Sequence, residues 1–260
     1  MNILPTSKTV VGKAVRLPLR LVRPDWQIPV LSGGARGLRW IAGSGNAGHW
    51  LGTFDSRTGR VLQREVVTGS VVYEIGAFVG YYSLQASVLV GPNGRVIAFE
   101  PSACSLRFLH EHLLINHITN VTVVEVAVGE RSGTTPFHVD SENPCLSRPC
   151  DHGDSDGDGR VPMISLDDFI EREGIPLPSL IKVDVVGSEM AVLRGAVRVL
   201  TNHHPPLILR IHSFDLNPPW TGFLRDLGYD VVPFEHEDFR APGGVLARHA
   251  GHARSSSGER

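Results

Sequence analysis

Cysteine is scarce in this 260-residue chain, with only Cys104, Cys145 and Cys150, and no apolar run approaches the roughly 20 residues that cross a bilayer. No C-x-x-C pair offers zinc two thiolates. Three thiols are too few and too scattered for a disulfide framework, so reduced cysteines are expected, even for Cys145 and Cys150, which are close enough to bridge a loop. The first residues lack the continuous apolar stretch of a secretory signal, and a cytoplasmic location is expected. An excess of either charge is also missing: Lys and Arg number 25 against 27 Asp and Glu. Such a balance provides no global field for a polyanion, which sets nucleic acid aside as a partner.

What is present is the alternation of an α/β domain. The length suits one core with a short N-terminal elaboration. Residues 1 to about 65 mix basic residues, prolines and short apolar stretches into an irregular or partly helical lead-in. From Val71 the pattern changes. Val71 to Ile75 reads as a buried strand, followed by a glycine-rich turn and a helical period through Tyr82, Leu84 and Leu89. Arg95 to Glu100 reads as a second strand, Leu106, Leu109, Leu113 and Leu114 as the apolar stripe of a helix, and Val121 to Val126 as a third strand. Further on come a strand at Leu180 to Val185, a helix from Ser188 to about Leu200, and a strand at Leu207 to Ile211. Strands that are apolar nearly throughout and separated by helices call for a doubly wound, mostly parallel sheet covered on both faces. Asp140 to Arg160, rich in Asp, Gly, Ser and Pro, is expected to be an exposed loop, and residues 251 to 260 a disordered tail.

Chemistry concentrates at Glu74-Ile75-Gly76-Ala77-Phe78-Val79-Gly80. Gly76 and Gly80 present no Cβ to an approaching ligand, and the N-terminus of the following helix offers unpaired N–H groups. A tight turn needs glycine for structural reasons as well, so the turn alone leaves both readings open. Glu100 tips the choice, because it ends the next strand 20 residues after Gly80, where a carboxylate can accept both hydroxyls of a ribose. A dinucleotide is disfavoured: Ala77 and Phe78 break the G-x-G-x-x-G spacing, and Glu74 would repel a pyrophosphate. The same carboxylate favours the cationic end of S-adenosylmethionine.

These blocks resemble the FkbM-type methyltransferases. The resemblance runs from about Gly48 to Phe234 and is carried by Trp50-Leu51-Gly52-Thr53, Glu74 to Ser83, Ala98-Phe99-Glu100-Pro101, Ala127-Val128-Gly129, Ser165-Leu166-Asp167, Ile181 to Ala196, and Ile211-His212. It implies a seven-stranded methyltransferase domain over residues 66 to 250, S-adenosylmethionine as donor, and O-methylation of a sugar, glycan, lipid or natural-product hydroxyl. It places Glu74, Gly76, Ala77, Gly80, Tyr81, Glu100 and Pro101 on cofactor positions, with Glu125, Val126 and Ala127 beside the adenine.

On the acceptor side, Asp184 ends a strand at the carboxyl edge of the sheet, where α/β ligands bind, although it can also cap the helix that follows. Lys182 reads as a paired or snorkelling strand lysine. His212 closes the next strand and suits a general base. Four positions depart from the family pattern: Glu74 stands where Asp is usual, Phe78 where Asn is, and Val186 and Arg210 where Glu is. Losing two carboxylates argues against a metal site and for a small-molecule or glycan-like acceptor that is itself anionic, with Arg210 paired to it from the same strand face as His212, or else paired to Asp184. The Asp151, Asp154, Asp156 and Asp158 series lacks the glutamate of a calcium loop and reads as solvated. Two rivals to a methyltransferase remain: a cofactor-binding relative without activity, and a nicotinamide-dependent oxidoreductase.

Overall fold

Seven of the apolar segments assemble into one sheet: β1 (Val71–Ile75), β2 (Arg95–Phe99), β3 (Val121–Val124), β4 (Leu180–Val183), β5 (Leu207–Ile211), β6 (Tyr229–Pro233) and β7 (Gly243–His249). The computed structural model describes residues 22–138, 148–149, 159–212, 218–234 and 243–252. Spatial order is β6-β7-β5-β4-β1-β2-β3, and only β7 runs against its neighbours. The chain leaves β1 toward β2 and β3, then returns to place β4 on the other side of β1. That reversal opens a crevice beyond the carboxyl ends of β1 and β4, the place where α/β sheets bind ligands.

Both faces are covered, as near-continuous apolar strands require. Tyr73, Ile75, Ile97 and Phe99 point into a core shared with the helices Leu166–Glu173, Glu189–Arg194, Val197–Asn202 and Pro219–Asp226. Val72, Val96 and Ala98 point the other way, into a core with Leu84, Leu109 and the lead-in residues Trp40, Trp50 and Leu62. The lead-in has structure of its own. Gln27–Pro29 pairs antiparallel with Arg39–Ile41, and α1 (Ala47–Leu51) and α2 (Ser56–Glu65) follow. Asn46 and Asp55 cap these two helices through their side chains. His112, fully buried on α4 (Ala103–Ile115), ties the lead-in to the ligand turn: its Nδ1 donates to the Val79 carbonyl (2.7 Å) and its Nε2 accepts from the Ile41 N–H (3.1 Å). Burial drives its pKa down to about 4, so the ring stays neutral and can accept.

Several expectations need correction. The helix foreseen from Ser188 to about Leu200 is two helices. Gly195 lies between them, where a Cβ would sit 1.9 Å from the Gly129 carbonyl oxygen. The third strand stops at Val124 because the Val126 N–H turns back to the Val124 carbonyl, after which Ala127–Val128 joins a small separate sheet with Gly159–Ile164. The fourth strand likewise stops at Val183. Leu114 is 74% exposed, and His112 instead faces the core from that helix. Cys104 is disulfide-bonded rather than reduced. Of the expected Asp140 to Arg160 loop, Arg148–Pro149 and the residues from Gly159 onward are strands, while Cys145, Cys150 and the four aspartates lie outside the described residues.

Candidate functional site

At the carboxyl ends of β1, β2 and β4 lies a cavity of about 260 Å³, bordered by the turn from Glu74 to Phe78, the Glu100-Pro101 corner, Val126 to Val128, and the run from Asp184 to Val186 with His212. Its floor is the turn after β1. Gly76 has φ +81, and a Cβ there would lie 2.1 Å from the Asp184 carbonyl oxygen; Gly80 has φ +92, and its Cβ would meet Leu109 at 2.5 Å. Both glycines therefore serve backbone packing against β4 and α4, in addition to leaving the turn open. Phe78 adopts φ 53 without being glycine. This is a left-handed conformation that asparagine, usual there by the resemblance, adopts at lower cost.

Glu100 holds the turn in place. One carboxylate oxygen accepts from the Phe78 N–H and the other from the Ser102 N–H, both at 2.8 Å. Burial raises its pKa to about 7 against the opposing pull of these two N–H groups, with the nearby Glu74 adding to the rise. Each oxygen keeps a second lone pair, as ribose recognition requires. Glu100→Ala strips two N–H groups of their acceptor, so beyond weakening nucleoside binding it is expected to cost about 1–3 kcal/mol of stability. Thermal unfolding without ligand checks this, and an unchanged melting temperature would show that the carboxylate is not structural.

The other side of the cavity holds a line of charges. β1 and β4 pair with Glu74 beside Lys182. Glu74 is 1% exposed; its Oε2 accepts from the Ser83 hydroxyl, while Oε1 has no hydrogen-bond partner and lies 3.7 Å from the Lys182 ammonium. Burial lifts its pKa to about 7 even though Lys182 and Ser83 act to lower it. Lys182 is itself 1% exposed, donates to Asp184 Oδ2 at 2.9 Å and lies 4.3 Å over the Tyr82 ring. It is a paired strand lysine and does not snorkel. Asp184 Oδ1 lies 2.9 Å from His212 Nε2. Burial alone would raise the Asp184 carboxyl, but the Lys182 ammonium and His212 outweigh it and hold the carboxyl well below its usual range. An ionised carboxylate has no proton to give, so His212 Nε2 is the donor of this pair, and in the neutral ring Nδ1 carries the lone pair.

Of the residues expected at the site, Glu74, Gly76, Ala77, Tyr81, Glu100, Pro101, Val126, Ala127, Asp184 and His212 border this cavity. Gly80 lies just beyond it as the N-cap of α3 (Tyr81–Val90). Two others are not at the cavity wall. Glu125 turns outward to His110 (3.0 Å). Arg210 pairs with Asp55 of the lead-in at 3.3 Å and is not among the residues that line the cavity with His212. Asp55 in turn accepts from the Tyr82 hydroxyl at 2.6 Å. His49, Phe54 and Tyr82 line the cavity without having been singled out. For His49 and Phe54 the sequence signal is the neighbouring Trp50-Leu51-Gly52-Thr53 block, and for Tyr82 the Glu74 to Ser83 block that contains it.

The donor set suits S-adenosylmethionine. It offers a carboxylate for a ribose and, in Glu74 Oε1, a buried acceptor awaiting a donor from a cation. A curated relative, the hexuronic acid methyltransferase AglP of Haloferax volcanii, is 25% identical over 154 residues, 59% of this chain and 61% of its own length. The chain thus spans about three fifths of that relative. The crystal structure of a methyltransferase FkbM from Methylobacillus flagellatus superposes with a TM-score of 0.51 at 22% identity, covering 69% of this chain and 43% of that one, and shares the fold. The family description Methyltransferase FkbM domain matches residues 74–231, more than half of the sequence, and the chain therefore belongs to the FkbM methyltransferase family.

Proposed function

We propose that this methyltransferase uses S-adenosylmethionine to methylate a hydroxyl oxygen of a sugar-like acceptor. The observation that carries the oxygen acceptor is the His212–Asp184 pair at 2.9 Å on the cavity wall. When bound, the donor supplies an electrophilic methyl group on its sulfonium. Asp184, kept ionised by Lys182, fixes the His212 ring with Nε2–H toward the carboxylate, which leaves Nδ1 to take the proton of an acceptor hydroxyl. Glu100 would hold the ribose, Val126 and Ala127 would flank the base, and Glu74 would face the cationic end of the donor. A sugar acid fits the hexuronic acid named for the Haloferax relative. Arg210, already engaged by Asp55, is not assigned as the anion clamp. Part of the expected acceptor wall, the 140 to 158 stretch, lies outside the described residues.

Calorimetry tests the donor: S-adenosylhomocysteine is expected to bind and NAD not, and binding of NAD alone would sink the reading. Transfer of labelled methyl into uronic acids, neutral sugars and cell extracts tests the acceptor, and a donor-binding protein that labels nothing would be a non-catalytic relative. Activity is expected to survive excess EDTA, since both Asp184 oxygens are engaged by Lys182 and His212, and Val186 stands where the resemblance places a carboxylate. Complete loss of transfer, restored by magnesium or manganese, would place Asp184 in a metal site.

A further inference from the structure

We propose that His49 is a cofactor-binding residue of the lead-in, whose Nε2 accepts a hydrogen bond from the ammonium at the amino-acid end of S-adenosylmethionine. This rests on the methyl-donor reading above and extends it to a residue outside the matched domain. His49 is 3% exposed and borders the cavity. Its ring is sandwiched between Trp40 and Phe54, at centroid distances of 5.2 and 4.0 Å. Its Nδ1 lies 3.1 Å from the Asn46 carbonyl, which can only accept, so Nδ1 carries the proton and Nε2 the lone pair. Burial drives its pKa down to about 4 against the pull of that carbonyl, so the ring stays neutral and keeps its lone pair.

That lone pair has no partner. Six buried side-chain atoms lack a hydrogen bond among the described residues, and only two of them, His49 Nε2 and Glu74 Oε1, belong to residues lining the cavity. Both are acceptors. A buried acceptor without a hydrogen-bond donor is costly, so the cavity is built for a ligand that brings donors. A hydroxyl offers one proton, whereas an ammonium offers three. Both acceptors are held by the first turn of α3: the Tyr81 ring packs edge-on against His49 at 5.1 Å, and Ser83 donates to Glu74. Gly80, the N-cap of that helix, supplies no side-chain acceptor, which leaves first-turn N–H groups for the carboxylate of the same amino-acid moiety.

Calorimetry on the full chain with two ligands tests the assignment: S-adenosylhomocysteine, which carries the amino-acid end, and 5′-methylthioadenosine, which lacks it. His49→Phe keeps a ring in the stack and removes the acceptor. It is expected to weaken S-adenosylhomocysteine about tenfold, the value of one hydrogen bond, while 5′-methylthioadenosine binds as to the wild type. His49→Gln, which can present a carbonyl oxygen near the Nε2 position, is expected to restore most of the loss and serves as the readout should the Phe variant not fold. Equal weakening of both ligands, or no change for S-adenosylhomocysteine, overturns the assignment. A wild-type chain that binds neither ligand instead overturns the methyl-donor reading on which it rests.

Discussion

Lys182→Met is expected to destabilise the fold by about 3–5 kcal/mol, the cost of removing one partner from a buried ion pair. Methionine nearly matches the lysine stem in length, so packing against Tyr82 is largely kept and the loss is mainly electrostatic. The ammonium lies 2.9 Å from Asp184 and 3.7 Å from Glu74, and without it two carboxylates share the floor of the cavity with no cation beneath them. For a domain of this size the melting temperature should fall by roughly 6–20 °C.

The pH dependence separates charge from packing. Asp184 titrates below its unfolded value in the native protein, so its stabilisation is present above the ordinary carboxylate pKa of about 3.9 and fades as pH falls through the lower folded value. Glu74, raised to about 7, contributes in the opposite sense: its share is complete below about 4.3 and is lost as pH rises through 7. Removing Lys182 takes away the Asp184 contribution and makes an ionised Glu74 still more costly. The Asp184 effect persists down to the ordinary carboxylate range and the Glu74 effect grows as pH rises through 7, so the gap between variant and wild type should be wide at pH 8 and narrow near pH 2. Thermal unfolding at the two pH values checks this, and an equal gap at both would show that the lysine acts through packing alone.

Local apolar pattern made the centre of the fold legible. Val71–Ile75 and Leu207–Ile211 have the bounds their residues suggest, because a strand buried on both faces needs only an unbroken apolar run. β6 and β7 escaped notice for the opposite reason. Tyr229–Pro233 alternates buried and exposed residues at the sheet edge, β7 opens on two glycines, and their pairing is fixed by contacts far apart in sequence.

At the site, residues whose placement follows from their own strand were readable, and those whose placement depends on a distant partner were not. Glu74, Glu100, Asp184 and His212 stand at strand ends that face one crevice. Arg210 and His212 were expected on one face by strand alternation, but β5 ends at Ile211, so the alternation does not extend to His212. The partner that claims Arg210, Asp55, comes from a lead-in with no readable period. Glu125 was misplaced because the backbone turns just after it, at Val126. His49 was invisible for the same reason as Asp55: its place is set by stacking with Trp40 and Phe54 in the lead-in.

The sharpest loss of activity is expected from His212→Gln. Glutamine can still donate to Asp184, so the buried charge line stays satisfied, and the fold should be little affected because His212 lies at the cavity rim with its side chain 31% exposed. It cannot take a proton. If Nδ1 is the base, methyl transfer should fall by about 10²–10⁴-fold, the usual share of general-base catalysis, while S-adenosylhomocysteine binds as before. Asp184→Asn separates orientation from basicity. The amide can accept through its oxygen or donate through its nitrogen, so it no longer dictates which His212 nitrogen is protonated, and it also leaves Lys182 without its nearest anion. Activity should therefore fall together with stability in the Asp184 variant, but without a stability change in the His212 variant. Single-turnover rates and melting curves on both proteins distinguish these outcomes. Unchanged turnover in His212→Gln would remove the histidine from the chemistry and leave positioning of the acceptor as the main source of rate, whereas a parallel loss of S-adenosylhomocysteine affinity would move His212 to the cofactor side of the cavity.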